Sequence, residues 1–167
     1  MSRNPAKAVQ PEVTEQMLRI WMTSWLHAVE LQRDRLLVED AKWGPESTFW
    51  VFALYRVWCL AKISRRLFPN SATHRAIQSF ERAVPDLQTV RDVAAHFEHY
   101  VQAEGRLQTD RPLPRLRRDM HLFFSWDVTR GDNLMRVTVA NQVSIEIFQA
   151  TAAARVMAEE VLNSLPS

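Results

Sequence analysis

The chain has 167 residues, 47% of them apolar, which suffices for one domain with a sizeable core. Three glycines among many bulky apolar residues argue against a β-sandwich or barrel, and the single cysteine, Cys59, excludes a disulfide framework. The net charge is only +2, but it is built from eighteen Arg against three Lys, a bias expected of a high-GC bacterial gene.

Residues 1–10 have no periodicity and are expected to be disordered. From Pro11 to Leu37 an amphipathic helix is expected, with Val13, Met17, Trp21, Trp25 and Val29 roughly in line as its packing stripe. Val38 to Pro45 reads as a loop. A second helix, Glu46 to Phe68, is apolar nearly all round through Phe49, Trp50, Phe52, Leu54, Trp58 and Leu60, the pattern of a helix in the middle of a bundle. Arg56 interrupts that run and must either reach the edge or find a carboxylate, for which Asp92 is a candidate. Cys59 reads as buried packing. Lys62, Arg65 and Arg66 suit the negative end of the helix dipole.

Pro69-Asn70 ends that helix, and Thr73 is expected to cap a shorter one through Ile77, Phe80 and Val84. A fourth helix is bracketed by Pro85-Asp86 at its start and Gly105 at its end. Leu87, Val90, Ala94, Phe97 and Val101 form its apolar face, with Asp92, His96 and His99 on the opposite side. Asp92 and His96, four residues apart, are spaced for a carboxylate to hold an imidazole. Arg91 lies roughly 140° around the axis from His96, so one copy struggles to aim both groups at one atom. Two copies across a two-fold axis bring them together, and a homodimer is expected.

Residues 105–121 form a basic linker, in which Gly105 to Arg118 sets Arg106, Arg111, Arg115, Arg117 and Arg118 against a single Asp110. Such a segment is either a plain connector or an electrostatic handle for RNA phosphates. Residues 122–139 switch to period two, with Phe124, Trp126 and Val128, then Met135, Val137 and Val139, alternating with polar residues about a Gly-Asp-Asn turn. That is a β-hairpin. Asn141 is then expected to cap a last helix carrying Val143, Ile147, Ala150, Ala154, Met157 and Val161. The expected fold is mainly α: a single bundle of about five helices over residues 11–165, with a small hairpin between the last two.

The chemistry-bearing pattern is Arg91-x4-His96, with polar Asp92 after the arginine and His-Phe-x-x-Tyr continuing to Tyr100. A second match, Arg115-x5-His121, falls in the Pro-rich linker where no helix can present it. Arg91-x4-His96 resembles the signature of the HEPN superfamily of small helical-bundle proteins, many of them metal-independent endoribonucleases of toxin–antitoxin and antiviral systems. The resemblance implies His96 as the acid/base, Arg91 as the phosphate stabiliser and Asp92 as a residue orienting the pair. His99 joins them because it shares their face.

The resemblance also implies an RNA substrate and an antitoxin or nucleotidyltransferase partner. Some toxins of the superfamily carry a nucleotidylated Tyr two residues after the histidine. Here Glu98 stands there and the tyrosine comes at 100, so that form of control is not carried over. The rival function is a non-catalytic interaction domain that binds a protein or nucleic acid through its aromatic-rich helices and basic linker. No zinc spacing, phosphate loop or nucleophile elbow occurs, so no metal ligand or cofactor is assigned. The polar start of the chain and the lack of a long apolar run lead to the expectation of a cytoplasmic protein with no membrane partner.

Overall fold

The computed structural model describes residues 11–38, 45–96, 99, 126–131, 134–139 and 143–166. Among them are five helices and one small sheet: α1 (Pro11–Leu36), α2 (Glu46–Leu67), α3 (Ser71–Ala83), α4 (Leu87–Ala95), β1 (Trp126–Gly131), β2 (Leu134–Val139), β3 (Val143–Glu146) and α5 (Ile147–Ser164). None of the described helices is long and apolar enough to cross a membrane. The expected mainly helical bundle with a hairpin before the last helix is the observed architecture.

Helix α2 is the central element and packs against α1, α3, α4 and α5. Trp50, Val51, Leu54, Val57 and Ala61 on it are fully buried. The Trp50 indole N–H donates to Thr151 Oγ1 of α5 at 3.2 Å, so the largest side chain of the core brings no unsatisfied polar atom inside. On α5, Ala150, Ala154 and Ala158 recur every four residues and are buried beside Met157 and Val161. Small residues at that spacing let α5 approach its neighbours closely.

Helix α2 is less uniformly buried than its composition suggests. Phe49 is exposed, Phe52, Tyr55, Trp58 and Cys59 are half-buried, and Arg56 is exposed. Arg56 therefore reaches water, and Asp92 has a different partner.

Helix α1 carries a second correction. The residues it buries are Leu18, Met22, Val29 and Leu36, whereas Met17, Trp21 and Trp25 are exposed. Of Met17, Trp21, Trp25 and Val29 in the expected stripe, Val29 alone points inward. On a helical wheel the buried set clusters within about 40°, and Met17 and Trp21 lie roughly 60–120° off its centre. Because α1 lies in the groove formed by α2 and α5, one narrow stripe is covered and the next is left outside. Arg19 fastens the end of this packing by donating to the carbonyls of Leu162 (3.0 Å), Leu165 (3.3 Å) and Pro166 (2.9 Å), oxygens that a helix C-terminus leaves without intrahelical donors. Arg155 Nε of α5 bonds Glu30 of α1 at 2.9 Å, further along the same helix pair.

Three local starts also differ from expectation. Asn70, not Thr73, caps α3: its side chain accepts from Ala72 N at 2.7 Å, while Thr73 is buried in the first turn. Asp86 precedes α4 but makes no side-chain cap bond. The last helix starts at Ile147, where Glu146 caps the N–H groups of Phe148 and Gln149. Asn141 is outside the described residues, and Val143 lies in a third strand rather than on a helical stripe.

The sheet is an antiparallel meander in the order β1–β2–β3, with Val137 paired to both Val128 and Ile145. Met135, Val137 and Val139 are buried, whereas Arg136 between them is exposed, so a slip of one residue would turn the apolar set to water. Pairing runs through Gly131 opposite Leu134, further into the expected turn than the sequence suggested. The sheet packs on α5 through β2 and β3, and on α4 through β3.

Replacing the fully buried Ala154 by Leu should force α5 away from its neighbours and cost about 1–3 kcal/mol. For a domain of this size that lowers the thermal midpoint by roughly 2–4 °C per kcal/mol. Arg56→Gln, on the exposed side of α2, should change stability by no more than about 0.5 kcal/mol. Thermal unfolding followed by circular dichroism separates the two.

Candidate functional site

Helix α4 is short, and three residues fasten it. Leu87, Val90 and Val93 are buried, and the helix packs on α2 and β3. Val93, which the spacing did not single out, takes the inward position; Ala94 is half-buried. The described helix ends at Ala95. His96 is its C-cap with φ −130° and ψ 34°, and its N–H bonds the carbonyls of Asp92 (3.2 Å) and Val93 (3.3 Å). Phe97, Val101 and the expected stop at Gly105 lie outside the described residues.

Fixing α4 on α2 places Arg91 over an aromatic ring. Its guanidinium carbon is 4.8 Å from the centroid of Tyr55, within cation–π range. Arg91 Nη1 donates to Asp92 Oδ1 at 2.7 Å, with the two side chains 31% and 28% exposed. Adjacent residues on a helix do not face each other, so the long arginine bends back to reach its neighbour. Arg91 Nε is buried with no hydrogen-bond partner among the described residues. The structure therefore corrects the expected Asp92–His96 pairing. The carboxylate is engaged by Arg91, and the contact between residues 92 and 96 is the backbone bond of the cap.

His96 is exposed, and its ring stacks on His99 with centroids 5.7 Å apart and planes 14° from parallel. The His99 N–H also donates to the His96 carbonyl at 3.0 Å. Of the four predicted residues, the structure thus pairs Arg91 with Asp92 and His96 with His99, two pairs on successive turns. The five linker arginines, Arg106, Arg111, Arg115, Arg117 and Arg118, lie outside the described residues.

The α2 side of the site escaped the sequence reading. Tyr55 meets Trp58 edge-on at 5.4 Å, and Lys62 Nζ sits 4.2 Å from the Trp58 ring centroid. Trp58 Nε1 donates to Glu81 Oε1 of α3 at 3.1 Å. Two cations, Arg91 and Lys62, thus lie on two adjoining aromatic rings. Burial pushes the Tyr55 phenol above its ordinary value, a hydrogen bond with Cys59 adds to the rise, and the nearby Arg91 cation opposes it. A phenol shifted that way stays protonated at neutral pH and serves as a hydrogen-bonding group rather than a base. The available signal was the spacing 55, 58, 62, one face of a helix over two turns; what hid it was an apolar context that read as core.

A groove of about 570 Å³ runs elsewhere, between α3 and α5, with Ala72, Ala76, Ala152 and Ala153 along it and Arg75 and Glu160 among its polar residues. None of the predicted site residues lines it. Among the described residues no group of three or more His, Cys, Asp or Glu is placed to hold a metal ion. No protein-family model, curated protein or solved structure matches the chain.

Tyr55 and Tyr100 are the two tyrosines of the chain, so a Tyr100→Phe variant isolates the Tyr55 titration. Its phenolate absorbance should rise with a midpoint above pH 10.0, and Arg91→Gln should move that midpoint higher by removing the opposing cation. Because the folded state holds this proton longer than the unfolded state does, the associated stability is complete below pH 10.0 and is lost as pH climbs through the folded value. Tyr55→Phe should therefore lessen the alkaline loss of stability, measured by denaturant midpoints on either side of pH 10.0.

Proposed function

We propose that the protein is a metal-independent endoribonuclease of the HEPN type, acting as a toxin or antiviral defence component. The observation that carries this reading is the arginine held over Tyr55 one turn before an exposed histidine at the end of α4. In this chemistry the ribose 2′-OH attacks the adjacent phosphorus and the P–O5′ bond breaks, giving a 2′,3′-cyclic phosphate and a 5′-OH. The nucleophile belongs to the substrate. The protein supplies proton transfer and stabilisation of the charge that develops on the phosphoryl oxygens.

His96 is exposed and free to meet a substrate hydroxyl, and imidazole is the side chain suited to proton transfer near neutral pH. Arg91 is the phosphate stabiliser. Its contact with Asp92 uses one nitrogen, and Tyr55 supports the plane of the fork, so less freedom is lost when it closes on a phosphate. Asp92 thus acts on the arginine, and His99 acts by stacking on the reactive ring. Since Arg91 and His96 lie roughly 140° apart around the helix, a complete site takes one from each of two copies in a homodimer. The basic stretch from Arg106 to Arg118 supplies phosphate contacts along the RNA, and an antitoxin partner restrains the activity.

A second reading, the non-catalytic interaction domain, is favoured by a separate observation: α1 leaves large apolar residues outside the core. The nuclease assay decides between the two.

His96→Ala and Arg91→Ala should each lower RNA cleavage by a factor of about a hundred or more, with the circular dichroism spectrum retained because neither residue belongs to the buried core. His99→Ala should lose less. Cleavage should continue in EDTA and leave 2′,3′-cyclic phosphate ends. Wild-type protein that cuts no RNA across a broad panel transfers the assignment to the interaction domain, and a fully active His96→Ala variant removes this residue from the chemistry.

RNA affinity should also fall steeply with salt. Replacing Arg115, Arg117 and Arg118 by Gln should flatten the log–log slope by about 0.7 for each phosphate of a single strand that the variant no longer neutralises. An unchanged slope makes the linker a connector.

A further inference from the structure

The outward side of α1 takes no part in the nuclease chemistry. Met17, Ile20, Trp21, Trp25 and Leu31 on it are all between 36% and 55% exposed, an unusual cost for five large apolar side chains on one helix. Met17, Trp21, Ser24, Ala28 and Leu31 follow one another at spacings of four, three, four and three residues, the seam spacing of helices that pack side by side. Residues 16–31 contain just two side chains that carry a full charge, Arg19 and Glu30 (His27 aside), and both are turned to α5, Arg19 onto its terminal carbonyls and Glu30 onto Arg155. The seam itself is uncharged over four turns and ends at exposed Arg35.

We propose that this face of α1 packs antiparallel against α1 of a second copy, about a two-fold axis passing beside Ser24. The pattern is complementary to itself in that arrangement. Met17 falls opposite Leu31 of the other chain, Ile20 opposite Ala28, and Ser24 opposite Ser24, so large residues meet small ones near the axis and large ones meet at the ends. An isologous contact sets each charge near its own symmetry mate's surroundings, and a seam without charges avoids that repulsion. An RNA or an anionic lipid surface would require unengaged Lys or Arg here, and residues 16–31 offer none.

The area also fits. With those exposures the five side chains present about 450 Å² of apolar surface. A standard interface covers about 800 Å² on each partner, of which about 65% is apolar between identical subunits, or about 520 Å².

This contact is independent of the nuclease reading. Helix α1 packs on α2 and α5, whereas α4 packs on α2 and β3, so the seam and the Arg91 surface are carried by different helices. Where both contacts form, they close into a tetramer if the two two-fold axes cross at right angles and otherwise join copies into an open chain.

The test uses the full chain with one cysteine. In a Cys59→Ser background, Ser24→Cys places two thiols beside the axis; helices packed 8–10 Å apart bring facing Cα atoms to about 5 Å, within disulfide reach. Mild oxidation should give a covalent pair of twice the chain mass, whereas Ser79→Cys, exposed on α3, should remain a single chain. Independently, Ile20→Asp and Trp21→Gln should each halve the mass measured by light scattering at micromolar concentration, with RNA cleavage per intact α4 contact unaffected. Ser24→Cys cross-linking no better than Ser79→Cys overturns the proposal. So does an unchanged mass in the folded Ile20→Asp variant, or a wild-type chain that is strictly monomeric.

Discussion

The rest of the structure depends on the burial of one side of α2. Trp50, Val51, Leu54, Val57 and Ala61 form a continuous apolar surface that four other helices share. Burial of a large side chain stabilises the fold by about 1.5–3 kcal/mol, but only when its polar atoms are satisfied. The bond from Trp50 to Thr151 meets that condition and sets the height of α5 along α2. The alanines of α5 then determine how close the two helices come, and the sheet is carried on α5 through β2 and β3. Once α2 is committed inward on that side, its opposite side must be half-exposed, whatever its composition.

That half-exposed side gives the candidate site its character. A nine-residue helix has little stability of its own, and α4 is held by Leu87, Val90 and Val93. Its docking decides what Arg91 meets, namely the ring of Tyr55 and the carboxylate of Asp92. A half-buried ion pair between adjacent residues, still reached by solvent, is worth only about 1 kcal/mol, so the value of this contact lies in orientation rather than stability. The arginine is restrained in one plane before any ligand arrives. His96 is placed differently, through the backbone geometry of a helix end and a ring stacked on its own. The two groups therefore differ in freedom: the cation is braced by α2, and the imidazole stands at the exposed end of α4.

Helix α1 illustrates how a single helix serves two surfaces. It is apolar over more of its circumference than α2 and α5 can cover, and the stripe they select is Leu18, Met22, Val29 and Leu36. The tryptophans belong to the remaining arc. Two of its charges, Arg19 and Glu30, engage α5 itself, which fastens the rotation of the helix about its axis and keeps the arc directed outward.

By itself the sequence determined the number and order of the helices, the hairpin, the inward alternation of Met135, Val137 and Val139, and the location of Arg91 on the fourth helix with His96 close by. These follow from local periodicity and from Pro, Gly and Asn at the element boundaries, which act over a few residues. It also located the exposed side of α4. Only the tertiary structure decided which of two apolar stripes on α1 is buried, because both satisfy the same helical period and the choice belongs to the neighbours. It likewise decided the partner of Asp92, since a carboxylate flanked by an arginine at one residue and a histidine at four is ambiguous until Tyr55 draws the arginine aside. The cap of the last helix moved from Asn141 to Glu146 for a similar reason: Val143 and Ile145 are apolar at a spacing that serves a strand as well as a helix, and the open edge of β2 supplied the hydrogen bonds that made them a strand.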